Sequence, residues 1–146
     1  MKHLLTFVLL ICFSSSLFSQ DKLPFRTLIQ DDTTFHADQP IVFAIQTKHE
    51  EDGIISKSLA TQALPSIDYS KETVLVILGG KRKNTGIKLS IDSLIQNGTS
   101  VKVFLHESKD TGKQFKGYVP AHIVLIKKTK MSLDFDQAWF AKHSKK

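Results

Sequence analysis

The stretch from Ile67 to Ile91 constrains the fold more than any other part of the chain. A polar turn at residues 67–73 leads into the apolar run 74–78, and the pair Gly79-Gly80 ends that run. A cationic loop follows at 81–86, and apolar and polar residues then alternate from Ile87. A continuous apolar run is typical of a strand buried on both faces, whereas a period of two is typical of one buried face. The order predicts a central strand, an exposed loop and a half-buried strand.

Further strands are predicted on both sides of this stretch. Residues 40–46 are rich in β-branched and aromatic side chains after a proline, and residues 121–126 form a second proline-led apolar run. Asn97-Gly98 is a strong hairpin signal because both residues tolerate a positive φ, and residues 101–106 alternate as the second strand of that hairpin. Residues 21–34 are expected to form a short edge segment. We therefore predict a mainly β fold, a mostly antiparallel sheet or sandwich with one or two short helices.

The remaining segments are predicted as turns, loops and short helices. Residues 49–53 have the composition of a turn, and apolar residues spaced by four favour a helix over 54–64 that ends before a proline. The polar, glycine-bearing residues 107–118 are expected to form a loop. Residues 134–143 are expected to form one or two helical turns. Their Trp139-Phe140 pair would pack on the sheet or, as an alternative, anchor a partner.

The first 19 residues have the three-part organisation of a secretory signal peptide. Lys2 and His3 form the positive start, residues 4–13 are apolar, and Ser16 or Ser19 supplies the small residue for cleavage. The apolar part is too short to span a bilayer. We expect an exported protein of the periplasm, the cell envelope or the medium, in which residues 20–146 form a single β-rich domain.

The single cysteine, Cys12, lies inside the predicted signal peptide. Ile11 precedes it, where a lipid-attachment cysteine needs a small residue. The exported form would contain no cysteine, which excludes disulfides and thiol chemistry. Its fold must then be held by packing alone.

The charge of the chain favours anionic partners other than nucleic acid. The sequence has 20 Lys and Arg against 14 Asp and Glu, and without Lys2 the net charge is about +5. Residues 81–83, 127–130 and 142–146 concentrate this charge. For an exported protein, anionic envelope polymers, lipid headgroups or acidic protein faces are the partners to expect. A solvated surface that aids solubility explains the same excess.

The motifs for metal and cofactor chemistry are incomplete. His49-Glu50-Glu51-Asp52 lacks the second histidine of a zinc-protease helix. Four other histidines lie singly in different segments: His36, His106, His122 and His143. We expect no metal site and no cofactor.

The motifs for nucleophilic and phosphate chemistry also fail. No serine occupies a G-x-S-x-G elbow. Residues 79–86 have the wrong order for a phosphate loop, and a strand follows where a helix is required. Asp68 and Ser70 are expected to bond the backbone at the start of the next strand instead. We expect a protein that is not an enzyme.

Residues 67–127 resemble the C-terminal domain of the protease-complex subunit PrcB family. The resemblance is carried by Ile67-Asp-Tyr-Ser-Lys-Glu-Thr-Val-Leu-Val-Ile-Leu-Gly, by Asn84-Thr85-Gly86, by the hairpin, and by Val119-Pro-Ala-His-Ile-Val-Leu-Ile. The family's turn continues with a second glycine and an aromatic residue, whereas Ile87 follows Gly86 here. The resemblance implies an exported, non-enzymatic domain that associates with a protease.

The predicted binding surface is the loop that follows the central strand, together with the loop at 107–118 if both lie at the same end of the sheet. Its residues are Lys81, Arg82, Lys83, Asn84, Thr85 and Gly86. The three cations would match an acidic partner, and the glycines would set the loop's shape or simply serve a tight β connection. Three function classes stay open: a protease-associated accessory protein, a module for anionic glycan or lipid, and an enzyme with an unrecognised site.

Overall fold

The computed structural model describes residues 21–30, 36–58, 64–82, 87–109, 119–129 and 132–143. The predicted signal peptide lies outside these ranges. Within them the chain forms eight strands and two helices. The strands are β1 (Asp21–Lys22), β2 (Phe25–Gln30), β3 (Ile41–Ile45), β4 (Glu72–Leu78), β5 (Ile87–Asn97), β6 (Ser100–Lys109), β7 (Ala121–Lys127) and β8 (Ser132–Phe135), and the helices are α1 (Lys48–Ser58) and α2 (Gln137–His143). The predicted mainly β fold is confirmed.

The strands form two four-stranded sheets. The central sheet has the order β2-β7-β4-β3 and is antiparallel throughout. The hairpin sheet has the order β1-β5-β6-β8, in which only β8 runs parallel to its neighbour. The segment predicted to lie at an edge supplies β1 and β2, each of which is an edge strand of its sheet. Residues 31–34 of that segment lie outside the described ranges.

The central sheet is buried on both faces because β4 and β7 are apolar at nearly every position. Val74 and Val76 of β4 point into an outer core that α1 and the segment 64–69 help to cover. Leu75 and Ile77 point the opposite way, into an inner core shared with the hairpin sheet. Alternate side chains of a strand face opposite sides, so an unbroken apolar run serves two cores. The prediction of a central strand over 74–78 is confirmed.

The hairpin sheet contributes one buried face, as the alternation predicts. Leu89 and Ile91 are buried, and a register shift between Ile91 and Ser93 then moves the buried position to Leu94. A bulge adds one residue and so reverses which side chains face the core. The predicted hairpin is confirmed, with Gly98 at φ +55° in the turn between β5 and β6.

The predicted turn at 49–53 is wrong, because these residues belong to α1. The Thr47 hydroxyl accepts a hydrogen bond from the Glu50 amide at 3.2 Å, and the Glu50 carboxylate accepts one from the Gln46 amide at 2.6 Å. Thr47 is therefore the N-cap, and the arrangement is a variant of the capping box in which the N3 carboxylate reaches the amide one residue before the cap. The helix predicted for 54–64 therefore begins at Lys48 and ends at Ser58, and residues 59–63 lie outside the described ranges.

Two further boundaries differ from the predictions. Residues 107–109, expected in a loop, extend β6, because Glu107 pairs with Leu89 across the hairpin. Residues 134 and 135, expected to be helical, belong to β8. Helix α2 then starts after Asp136, whose carboxylate accepts hydrogen bonds from the amides of residues 138 and 139 at 3.0 and 3.2 Å. Trp139 is buried in the inner core with its ring edge-on to Phe140, which confirms that the tail packs on the sheet.

In the part of the chain that the structure describes, neither helix has the length and apolar character needed to cross a membrane.

Candidate binding surface

The last residues of β4 and β6 lie at the same end of the fold. Residues 110–118, most of the second predicted loop, lie outside the described residues. Leu78, the last residue of β4, pairs with Ala121, the first residue of β7. Ile87, the first residue of β5, pairs with Lys109, the last residue of β6. The connection from β4 to β5 and the connection from β6 to β7 therefore both link this end of the central sheet to the same end of the hairpin sheet. We call the described residues here, 79–82, 107–109 and 119–120, the loop end.

An ion pair joins the connection after β4 to the end of β6. Nη2 of Arg82 lies 2.6 Å from Oε1 of Glu107, and the two side chains are only 8% and 18% exposed. A charge-assisted hydrogen bond at this distance is short and directional, and its shielding from water makes it less sensitive to salt than a surface pair. The pair fixes the start of one connection against the end of the strand that leads into the other.

The predicted cationic site is divided by this ion pair. Lys81 is exposed, whereas the charge of Arg82 is turned inward and balanced by Glu107. Lys83, Asn84, Thr85 and Gly86 lie outside the described residues. Arg82 therefore shapes the loop end, and Lys81 and Lys109 are the described cations that face solvent there.

Gly79 and Gly80 are required by close packing at the loop end. The Gly79 amide donates to the Pro120 carbonyl at 2.7 Å, and a Cβ on Gly79 would lie 2.8 Å from Cγ of that proline. Gly80 has φ +75°, and a Cβ there would lie 2.7 Å from the carbonyl carbon of Gln39. A residue with a side chain would meet both strain and overlap at Gly80. These two glycines serve a tight β connection, the alternative that the sequence left open.

His122 joins the two sheets in the interior. It is 2% exposed, and its Nδ1 accepts a hydrogen bond from the Ile91 amide at 2.8 Å. Nδ1 therefore carries no proton, so Nε2 holds the proton of the neutral ring and donates to Oγ1 of Thr27 at 2.9 Å. Burial, followed by the positive charge of Lys88, lowers the pKa of His122 to about 4. The ring is neutral at physiological pH and supports the edge of β5.

Gln30 supports the same edge of β5. β1 pairs only with residues 95 and 96 of β5. Further along β5, the side-chain amide of Gln30 donates from Nε2 to the Leu89 carbonyl at 3.3 Å. Backbone groups of a buried strand need partners, and side chains of the central sheet provide them here. Neither role is visible in the sequence, because it depends on two sheets meeting at one strand.

A second polar cluster holds α1 against the polar turn that precedes β4. The Tyr69 hydroxyl donates to the buried Glu51 carboxylate at 2.7 Å, and the Lys48 ammonium pairs with the same carboxylate at 2.7 Å. Burial, and then the hydrogen bond to Glu51, raise the pKa of Tyr69. In the turn itself the Ser70 amide donates to the Asp68 carboxylate at 3.0 Å, which confirms the side-chain to backbone bond expected of Asp68. The Ser70 hydroxyl donates to the same carboxylate and not to the backbone. The pKa of Asp68 is lowered to about 2, mainly by the Ser70 hydroxyl and then by Lys71.

A groove of about 360 Å³ lies at the opposite end of the central sheet. Its lining comes from the first residues of β2, the last residues of β7 and the residues around the start of β4. We call it the basic groove, since Arg26, Lys71 and Lys127 line it beside one carboxylate, Glu72. The sequence contained one signal for it, the cationic residues 127–130.

Among the described residues, no group of three or more His, Cys, Asp or Glu side chains is placed to hold a metal ion. No protein-family model matches the sequence, and neither the curated proteins nor the solved structures include a significant match.

Proposed function

We propose that this chain is an exported, non-enzymatic accessory protein that binds an envelope or secreted protease through its loop end. The observation that carries the proposal is the Arg82–Glu107 ion pair, which holds the connection after β4 against the last residues of β6 at one end of a two-sheet scaffold. The signal-peptide pattern supports export, and the resemblance of residues 67–127 to the PrcB family supports a protease as the partner.

The loop end has the construction expected of a binding surface. Loops carried by a rigid scaffold are where binding residues concentrate, and fixing them before association lowers the entropic cost of binding. β4, which leads into this end, is buried along most of its length, and the Gly79 amide donates a hydrogen bond to the Pro120 carbonyl there. Lys81 and Lys109 then give the described part of the surface an outward positive charge, which favours an acidic patch on the partner.

Site-directed crosslinking tests the proposal. A photo-crosslinking residue at position 81 would report on the loop end, and the same residue at position 102, near the turn of the hairpin, would serve as a matched exposed control. After irradiation in the native envelope fraction, we expect adducts containing a peptidase from position 81 and not from position 102.

Two results would count against the proposal. Repeated recovery of adducts from position 81 without any peptidase would remove the protease as partner. Equal crosslinking from both positions would show that the loop end has no special part in the association.

A further inference from the structure

The basic groove is built from side chains that share one face of the central sheet. Arg26 of β2 pairs with Leu125 of β7, and Glu72 of β4 pairs with Lys127 of β7. Directly paired residues project to the same face, and positions two apart along a strand also share it. Arg26, Lys127 and Glu72 therefore point to the same side, which is the side of the outer core because Leu125 belongs to that core.

The charges in the groove leave a positive excess. Lys71 pairs with Asp68 at 2.9 Å, but its side chain is 80% exposed and the pair is therefore weak. Arg26 and Lys127 stand on neighbouring strands in the diagonal arrangement, with their Cβ atoms roughly 7 Å apart. Two cations at this separation can both reach one carboxylate or sulfate group, and Arg26 can bind it with two parallel hydrogen bonds.

The groove also offers apolar surface and a hydrogen-bond acceptor. Pro24 is exposed and lines the groove beside the charged side chains. The ring of Phe25 projects to the opposite face of β2, where it packs in the inner core edge-on to His122. The carboxylate of Glu72 accepts hydrogen bonds but repels anions. A ligand that fits must bring an anionic group, an apolar face and hydroxyl donors together.

We propose that the basic groove binds an acidic saccharide, a sugar chain that carries carboxylate or sulfate groups. The acidic group contacts Arg26 and Lys127, the apolar face of a sugar ring packs on Pro24, and a ring hydroxyl donates to Glu72. The groove is open to solvent, which suits a chain that passes through it. This site is separate from the loop end and does not depend on the proposed protease partner.

A lipid headgroup shares the anionic chemistry but fits the surface less well. Membrane-surface binding usually adds apolar side chains that enter the bilayer. Among the described residues, the exposed large apolar side chain is Ile41, on β3. β3 lies at the far edge of the central sheet from β2, so Ile41 is not positioned to accompany the groove onto a bilayer.

The test is a binding titration of the protein with polygalacturonate, with dextran as the neutral polymer. The informative variant is Arg26→Gln with Lys127→Gln. Lys102→Gln with Lys142→Gln, which removes two exposed charges elsewhere, is the matched control. Each exposed contact is worth roughly a threefold change in affinity, so the groove variant should bind about tenfold more weakly and the control should bind within twofold of the wild type. Equal unfolding midpoints for both variants would confirm that the comparison concerns binding.

Each remaining outcome overturns the proposal. Equal weakening of the two variants would mean that net charge alone attracts the polymer. No retention on polygalacturonate, or equal retention on dextran, would remove the acidic saccharide. Binding to phosphatidylglycerol vesicles without binding to polygalacturonate would assign the groove to a lipid headgroup. Equal affinity for polyglutamate would assign it to an acidic peptide.

Discussion

The buried His122 makes stability depend on pH in a defined window. Its pKa is about 4 in the folded chain, against about 6.5 for an unperturbed histidine. Between these values the unfolded chain binds the proton and the folded chain does not, so acid favours unfolding. The full contribution is present above pH 6.5 and declines as the pH falls toward 4.

The size of the effect follows from the difference in pKa. Each unit of pKa difference corresponds to about 1.4 kcal/mol. At pH 5 the free energy of unfolding should be lower than at pH 7.5 by about 2 kcal/mol, and at pH 4 by about 3 kcal/mol. This loss is a large part of the free energy of unfolding of a typical single-domain protein, which is roughly 5–15 kcal/mol.

Urea unfolding at pH 7.5, 6, 5 and 4 measures this dependence. His122→Gln removes the titrating group, and His106→Gln removes an exposed histidine as the control. We expect His106→Gln to follow the wild-type pH dependence. His122→Gln should be less stable at pH 7.5, because the Ile91 amide loses its acceptor, but it should lose about 3 kcal/mol less between pH 7.5 and 4. Parallel curves for the wild type and His122→Gln would refute the assignment of a neutral, buried His122.

Three further predictions concern the loop end and α1, and each is checked by urea unfolding at pH 7.5. Arg82→Gln and Glu107→Gln should each lower the free energy of unfolding by about 3–5 kcal/mol, because each leaves the partner's shielded charge uncompensated. The double variant should lose less than the sum of the two single losses, and additive losses would contradict the coupling. Gly80→Ala should cost more than Gly98→Ala, since both glycines have positive φ but only Gly80 faces backbone atoms within 3 Å. Equal losses would show that overlap at Gly80 is relieved. Thr47→Ala should cost about 1 kcal/mol through loss of the α1 cap, with Thr47→Ser close to the wild type.

The strands were predictable because their signals are local. The apolar run 74–78 and the alternation from Ile87 each indicate a strand and the number of its buried faces, and the structure agrees with both. The hairpin needed only a turn signal between two alternating runs. A signal for the start of α1 is also present in the sequence, since Thr47 followed three residues later by Glu50 is the sequence pattern of a capping box.

The candidate site was less predictable because its geometry depends on pairings between distant strands. That the two connections share one end follows from the register of β4 with β7 and of β5 with β6, and neither register is written in a local pattern. Arg82 has the same sequence signal as Lys81, yet its environment depends on Glu107, 25 residues away. The role of His122 is equally hidden, since a single histidine in an apolar run does not indicate that its ring will hydrogen-bond to Thr27 of β2 and to Ile91 of β5.

The loop end and the basic groove occupy opposite ends of one rigid strand pair, which leads to a last prediction. β4 spans seven residues from Glu72 to Leu78, so the two surfaces are about 20 Å apart at a rise of about 3.3 Å per residue. At this separation the two ligands need not overlap, and a strand buried on both faces offers little freedom to transmit a change of shape. A saturating acidic saccharide should therefore leave crosslinking from position 81 unchanged within twofold, while the complex itself becomes retained on polygalacturonate. Loss of the peptidase adduct on addition of the polymer would show that the two surfaces compete, and the protein would then not hold a protease and a glycan together.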